Sequence, residues 1–298
     1  MHKQLTSAQR SERTMYKFIW PGIVGFLFFS VIPIIYAIVL SFTQSDGITS
    51  QFIGFQNYFT MFGSALYWKS IYNTLYMVVL GVPFNLVISL LLAMLLQKAT
   101  KGSVIFKIIF YIPTILPGVA LAILLMNLFQ TKAGLLNSIL GMFGAPAVEW
   151  LGNPALTKLT FVLMGGWSVG SLMIFFLVGL QGIPITYYEA AEIDGANAFQ
   201  QFKHITIPQL TPSILYNMIL SIVWSMQTFI PAFIMTQGGP DKSTYFYVYK
   251  IYKDAFQNLN MGYASAEGIM LFVVCSIFTV FILKSSQIWV HYEGGNNE

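Results

Sequence analysis

The chain has 298 residues, of which 56% are hydrophobic, 16% aromatic and only 9% charged. Soluble domains carry about 25% charged residues, so this composition excludes a soluble enzyme and a disordered protein. The net charge of +4 is too small for a nucleic-acid-binding surface, and one cysteine with three scattered histidines excludes a disulfide framework and a His/Cys metal site.

Six charge-poor segments are long enough to cross a membrane, which needs about 20 apolar residues per helix. The first lies between Lys17 and Asp46, and the last reaches spanning length only by including Glu267, which is expected at an interface or a subunit contact. The sequence therefore predicts an all-α, polytopic membrane protein. Its predicted transmembrane helices are 18–43, 72–97, 108–130, 159–180, 209–234 and 264–288. The predicted domains are an N-terminal tail (1–17), a six-helix domain (18–290) and a C-terminal tail (291–298).

The distribution of basic residues predicts the orientation of these helices. The N-terminal tail holds Lys3, Arg10, Arg13 and Lys17, whereas the loop after the first helix holds only Lys69. Because basic residues favour the cytoplasmic side, both termini are expected in the cytoplasm. The tail lacks the pattern of a cleavable signal peptide, so the first helix is expected to remain as an anchor.

The loop 183–208 falls on the cytoplasmic side and differs from the other loops in its acidic residues. Three carboxylates, those of Glu189, Glu192 and Asp194, stand within six residues. The residues from Tyr188 to Asp194 favour a short helix, and Gly195 suits a left-handed helix stop.

A second short helix is predicted just beyond this glycine. Asn197 and Gln200 have the spacing of a capping box, and Phe199, Phe202 and Ile205 recur at helical spacing and can bury one face. Such an ordered acidic segment is either an interfacial loop helix or a docking surface for a cytosolic partner.

The same loop carries a motif that spans about 24 residues. Its members are Glu189-Ala190-Ala191, Asp194-Gly195-Ala196, Phe202, Ile205, Pro208 and Pro212. This run resembles the EAA motif of binding-protein-dependent ABC importer permeases. Further segments resemble the maltose and multiple-sugar branch of that family. They are Gly54 with Phe55–Tyr58, Trp150-Leu151 with Pro154, Gln237–Pro240 with Thr244, and Gly262–Ala266.

The resemblance implies a type I ABC importer permease architecture in a bacterial or archaeal plasma membrane. It implies four kinds of partner: a second homologous permease chain, two ATPase subunits that bind ATP and Mg, an extracytoplasmic sugar-binding protein, and membrane lipid. The residues that would couple to the ATPase are Glu189, Ala190, Ala191, Asp194 and Gly195. This chain has no GxxxxGK[ST] phosphate loop, so the ATPase must be another polypeptide and no catalytic residue is predicted here.

Polar and aromatic residues of the fourth and fifth helices predict the cargo site, because sugars need aromatic platforms and neutral hydrogen-bonding groups. Ser221, Trp224 and Thr228 share one helix face. By their distance from the EAA motif, seven residues fall where maltose-type permeases line their sugar site: Trp167, Ser168, Ser171, Ser221, Trp224, Ser225 and Thr228. For any single serine, helix–helix packing is the alternative.

The resulting prediction is a permease subunit that forms, with its partner, the path of a neutral sugar or oligosaccharide. No Lys or Arg lies inside the fourth or fifth helix, which disfavours an anionic cargo such as glycerol phosphate. Two alternatives remain open: an ion-coupled secondary sugar transporter, and an ABC permease for such a non-sugar solute. A secondary transporter typically has intramembrane ion-binding groups and would leave the EAA motif unexplained.

Overall fold

The computed structural model describes residues 7–98 and 103–291, and helices dominate both ranges. The chain forms two compact units: residues up to Gly63 with Ile251–Phe272, and Ser64–Lys250 with the chain from Val273. The first unit begins with α1 (Ser7–Phe26), α2 (Ile32–Ser41), β1 (Thr43–Ser45), β2 (Ser50–Phe52) and α3 (Gln56–Gly63). The second contains α4 (Ala65–Tyr76), α5 (Val82–Lys98), α6 (Ser103–Ile115), α7 (Gly118–Leu128), α8 (Leu135–Met142), α9 (Pro154–Gly165), α10 (Gly170–Gly182), α11 (Ile185–Ile193), α12 (Ala198–Gln201), α13 (Ile207–Gln209) and α14 (Thr211–Met226). Two further helices have residues in both units, because the unit boundaries fall within them: α15 (Tyr247–Tyr252) and α16 (Met261–Trp289).

Three continuous helical stretches among the described residues are long and apolar enough to cross a membrane: Met15–Ser41, Ala65–Gln97 and Met261–Trp289. Two bent pairs raise the number to as many as five. Val104–Ile115 with Gly118–Leu128 is bent by 104°, and Pro154–Ser168 with Gly170–Gly182 by 51°. These five correspond to the predicted helices 18–43, 72–97, 108–130, 159–180 and 264–288.

The predicted helix 209–234 is not continuous. Helix α14 has sixteen residues and ends at Met226, and regular helix is absent from Gln227 to Phe229. Pro231 explains the interruption, because it lacks the N–H that would bond to the carbonyl of Gln227, and its ring would clash with that carbonyl. A π-helical turn, Ala232–Thr236, follows. The predicted segment 209–234 is therefore interrupted next to the proline that it contains.

The first unit contains a small antiparallel hairpin where the sequence predicted only a connecting loop. Thr43 pairs with Phe52 and Ser45 with Ser50. The Asp46 carboxylate accepts hydrogen bonds from the backbone N–H groups of Thr49 (2.7 Å) and Ile48 (2.9 Å). These bonds favour the charged form and lower the pKa of Asp46, so the turn is stabilised above that pKa.

A buried asparagine ties helix α3 to this hairpin. Asn57 Nδ2 donates to the carbonyls of Ser41 (2.9 Å) and Thr43 (2.8 Å), and the Tyr58 hydroxyl donates to Ser41 Oγ (2.8 Å). The aromatic segment that resembles sugar permeases is therefore structural in this unit. Gly262 approaches the Thr43 carbonyl so closely that a Cβ there would overlap it.

The second unit is built around close contacts between α5, α10 and α14. Buried apolar side chains of these helices form its core: Ala93, Leu96, Met173, Phe176, Leu177, Leu180 and Leu210. A glycine on α10 also permits its close approach to α6, since a Cβ on Gly170 would lie 2.6 Å from the Phe110 carbonyl oxygen. Amide side chains add hydrogen bonds between helices, because Gln97 donates to the Leu180 carbonyl and Asn217 to the Leu172 carbonyl, each at 3.2 Å.

Candidate functional site

A cavity of about 330 Å³ lies inside the second unit. Its walls come from α5, α7, α9, α10 and α14 and from the residues that follow α14. Most of the lining is apolar, with Met77, Leu121 and Phe161 among its members. No charged side chain belongs to this lining, so the cavity is suited to an uncharged ligand.

The structure brings together five of the seven predicted cargo residues in this cavity: Ser168, Ser221, Trp224, Ser225 and Thr228. Trp224 is 51% exposed, which leaves an aromatic surface open. The other two residues stand elsewhere. Trp167 lines a separate cavity with Phe110 and Pro113, and Ser171 is half-buried on α10 and lines neither cavity.

Two of the helix interruptions lie beside this cavity. A 3-10 turn, Gly166–Ser168, separates α9 from α10, and the break after Met226 follows the cavity face of α14. The Thr228 hydroxyl donates to the Ser225 carbonyl (2.9 Å), and the Gln227 N–H to the Trp224 carbonyl (3.1 Å). Irregular backbone within a membrane is tolerated where it lines a cavity or is buried in protein, and both breaks meet that condition.

Two polar atoms in the lining lack hydrogen-bond partners among the described residues. Asn85 Oδ1 and Ser221 Oγ are both buried and unsatisfied. An unmade bond of this kind costs about 1–3 kcal/mol, so both groups favour a ligand that offers hydroxyls. The sequence predicted Ser221 and missed Asn85. The available signal was an amide inside the charge-free run between Lys69 and Lys98.

The acidic loop folds as two short helices, in agreement with the sequence. Helix α11 covers Ile185–Ile193, and Gly195 follows with a φ of 80°. The Ala196 N–H donates to the Ala191 carbonyl (2.8 Å), which closes the helix end in a left-handed cap. Asn197 then forms the predicted capping box, reciprocated by Gln200.

The side chains of this loop lie mainly at the surface. Glu189, Ala190 and Asp194 are exposed and Ala191 is half-buried. The expectation that an aromatic face is buried was wrong for Phe199, which is 71% exposed, whereas Phe202 and Ile205 are half-buried. Phe199 lies in α12, which has only four residues.

A side-chain hydrogen bond joins α11 to the segment just before α13, since the Tyr188 hydroxyl and Thr206 Oγ1 lie 2.9 Å apart. This bond stiffens the loop. Together with the left-handed cap, it holds α11 in a defined position while its acidic and apolar side chains remain accessible. Such a rigid exposed helix is suited to docking.

The described residues contain no group of His, Cys, Asp or Glu that could hold a metal ion. Glu267, which the sequence placed at an interface, is fully buried in α16. An exposed contact role for its carboxylate therefore has no support.

The broken helices, the mid-span cavity and the exposed loop helix together define a multi-pass membrane transport subunit. Residues 85–286 match the family model described as "Binding-protein-dependent transport system inner membrane component". This match covers more than half of the chain, so the chain belongs to that family, whose members are the membrane components of importers and are not enzymes.

Relatives that match nearly the whole chain are permeases of the same kind of transport system. The chain is 39% identical to the probable ABC transporter permease protein YesP of Bacillus subtilis, over 98% of this chain and 96% of that protein. It is 30% identical to the trehalose/maltose transport system permease protein MalF of Thermococcus litoralis, over 95% and 98% respectively. The predicted resemblance to sugar-type ABC importer permeases is confirmed.

Solved structures confirm the type I permease fold. A chain of a bacterial alginate ABC transporter, crystallised with a periplasmic protein that holds an alginate pentasaccharide, superposes with a TM-score of 0.83. The match covers 95% of this chain and 97% of that chain at 24% identity. At this identity the likeness concerns the fold alone.

Proposed function

We propose that this chain pairs with a second homologous permease and encloses the path of a neutral sugar or oligosaccharide. The observation that carries the proposal is the cavity in which Trp224, Ser221, Ser225 and Thr228 meet without a charged side chain. Tryptophan offers a flat apolar surface to the C–H faces of a sugar, and the hydroxyls match its polar edges. An anion such as glycerol phosphate would need a cationic partner that this lining lacks.

Helix α11 is the proposed point of coupling to a separate ATPase, which binds ATP and Mg. Its exposed Glu189 is placed to pair with a basic group of that partner, and a hydrogen bond to a charged group contributes about 1.5–3 kcal/mol. The half-buried Ala191 and the turn at Gly195 allow a partner surface to approach the helix closely. This role places α11 and both chain termini in the cytoplasm.

The proposed complex comprises two permease chains, two ATPase subunits and an extracytoplasmic sugar-binding protein. Support comes from the family, which is defined by dependence on a binding protein. The crystal structure of the alginate importer in complex with its periplasmic protein supports the binding protein as a partner. The proposed location is a bacterial or archaeal plasma membrane.

The test is ATP hydrolysis by the complete complex in proteoliposomes, with binding protein and a panel of maltose, trehalose and arabinotriose. At least one sugar of the panel is expected to stimulate hydrolysis by wild type. The Glu189→Ala variant is expected to lose about tenfold in this stimulation, or to retain the ATPase poorly, because one charged contact is removed. Glu192→Ala removes an equal charge from the same helix and is the matched control, with a smaller expected effect.

Two results would contradict the proposed function. Sugar uptake without any ATPase, together with an unchanged Glu189→Ala variant, would replace the proposal with an ion-coupled carrier. Stimulation by glycerol 3-phosphate but by no sugar would retain the importer and reject its cargo class.

A further inference from the structure

Helix α5 contributes a polar side chain to the cavity that the sequence motifs do not assign. Asn85 lies within the helical stretch Ala65–Gln97, and its amide packs against Gly165 of α9. A Cβ on Gly165 would lie 3.0 Å from Asn85 Oδ1 and 3.2 Å from Nδ2. The absence of a side chain at Gly165 therefore leaves room for the amide at the cavity wall.

Other amides of the same unit show what a purely structural role looks like. Gln97, on the same helix, donates to the Leu180 carbonyl, and Asn217 of α14 donates to the Leu172 carbonyl. Asn73 donates to the carbonyls of Lys242 (2.8 Å) and Tyr245 (3.3 Å). Each of these amides joins separate segments of the chain.

Asn85 differs from Gln97 and Asn73 because its buried Oδ1 has no partner among the described residues. The Oδ1 of Asn217 is also unpartnered, but Asn85 lines the cavity and Asn217 does not. Ser221 Oγ is in the same condition as Asn85 Oδ1 and lines the same cavity from α14. Buried polar groups in folded proteins are nearly always hydrogen-bonded, so two unpartnered groups around one cavity favour a ligand that carries hydroxyls. An amide that provides both donor and acceptor is suited to a sugar hydroxyl, which also does both.

We propose that Asn85 contacts the cargo and, with Ser221 on the facing helix, binds saccharide hydroxyls. This inference rests on the proposed function, since it concerns the same cavity. It adds α5 to the cargo site, which the sequence placed on the fourth and fifth predicted helices alone. A site built to hydrogen-bond a hydroxyl rejects cargo that lacks it, because the amide is then left unpaired.

The first test measures whether cargo covers this position. Cys275 is replaced by Ser, Asn85→Cys is introduced, and the complete complex is treated with a water-soluble methanethiosulfonate reagent. Maltose, trehalose or arabinotriose at about ten times its dissociation constant is expected to slow modification about tenfold by mass action. Thr114→Cys is the matched control. Thr114 Oγ1 is also buried and unpartnered but lines neither cavity, so protection is not expected there.

The second test measures affinity through sugar-stimulated ATP hydrolysis. Asn85→Leu removes both the donor and the acceptor of the amide and is expected to raise the half-maximal sugar concentration about tenfold, as expected for one hydrogen bond lost in a desolvated site. Asn85→Asp removes only the donor and is expected to raise that concentration less. Thr114→Val should leave that concentration unchanged. The Asp variant keeps the size of the side chain and remains informative if the Leu variant does not assemble.

The results separate this inference from the proposed function. Stimulation of the wild type without protection at position 85, or with unchanged half-maximal concentrations, overturns the role of Asn85 and leaves the importer intact. If no sugar stimulates the wild type, the proposed function fails. Protection of the Asn85→Cys variant by the same sugars then still decides whether this residue contacts a saccharide.

Discussion

The two tryptophans of the predicted cargo set, Trp167 and Trp224, have different surroundings in the structure. Trp224 lines the cavity that contains Ser221 and Ser225, whereas Trp167 lines a separate, mainly apolar cavity. At the scale of single residues, membership of the cavity with the serines is the reason for proposing Trp224, and not Trp167, as the aromatic platform for cargo. The sequence could not make this distinction, because both residues are tryptophans in predicted helices. Exposure does not separate them either, at 51% and 49%.

The pair yields a direct comparison of substitutions. Trp224→Ala should raise the half-maximal sugar concentration for ATP hydrolysis by about tenfold or more, equal to about 1.4 kcal/mol, because it removes the aromatic surface of the cavity. Trp167→Ala is the matched control and should change that concentration little. Equal effects of the two substitutions would remove the reason for placing cargo in this cavity.

At the scale of elements, small residues determine which helices can meet. On α10, Gly170 faces the backbone of α6, where a Cβ would lie 2.6 Å from the Phe110 carbonyl oxygen and 2.9 Å from the Tyr111 Cα. Gly182, at the end of the same helix, has no atom within 4 Å of such a Cβ. Backbone atoms cannot move aside as a flexible side chain can, so only the first glycine is required by packing.

This difference predicts the effect of two otherwise identical changes. Gly170→Ala should destabilise the chain by about 1–3 kcal/mol through overpacking, with a fall in the thermal unfolding midpoint of the complex in nanodiscs. Gly182→Ala should leave the midpoint nearly unchanged. A midpoint at the wild-type value for Gly170→Ala would show that α6 and α10 are farther apart than described here.

The interruptions within the long helices are a second feature at the scale of elements. Pro117 separates α6 from α7, and Pro231 follows the end of α14, so the sequence marks both breaks. The 51° bend beside Ser168 has no proline within it and follows from Gly165 and Gly166, which pack against α5 side chains. A proline in a hydrophobic run does not always mark a break, since Pro21 and Pro113 lie inside α1 and α6.

At the scale of the whole molecule, the family membership and the long apolar helices make this a multi-pass membrane protein. Its orientation remains a prediction from the basic residues of the tail and loops. The loop with α11 is proposed to face the cytoplasm, and Lys132, between α7 and α8, to face the other side.

Cysteine labelling in intact cells tests this orientation. In a Cys275→Ser background, Lys132→Cys should react with a membrane-impermeant maleimide, whereas Lys203→Cys should react only after permeabilisation. The opposite pattern would invert the topology and separate the proposed docking helix from any cytoplasmic ATPase. Each variant serves as the control for the other, since both replace a loop lysine.

The sequence alone determined the class of this protein, because hydropathy, charge and one loop motif are local properties of the chain. It placed five of six helices with ends that differ by up to seven residues, the left-handed glycine after α11 and the capping box at Asn197, all of which depend on neighbouring residues. Only the tertiary structure selected which polar side chains surround one cavity. Asn85 lies more than eighty residues before Ser168 in the chain, and an orphaned amide is recognisable only when every neighbouring helix is in place. Whether a polar atom lacks a hydrogen-bond partner depends on its three-dimensional surroundings, and no sequence pattern predicts it.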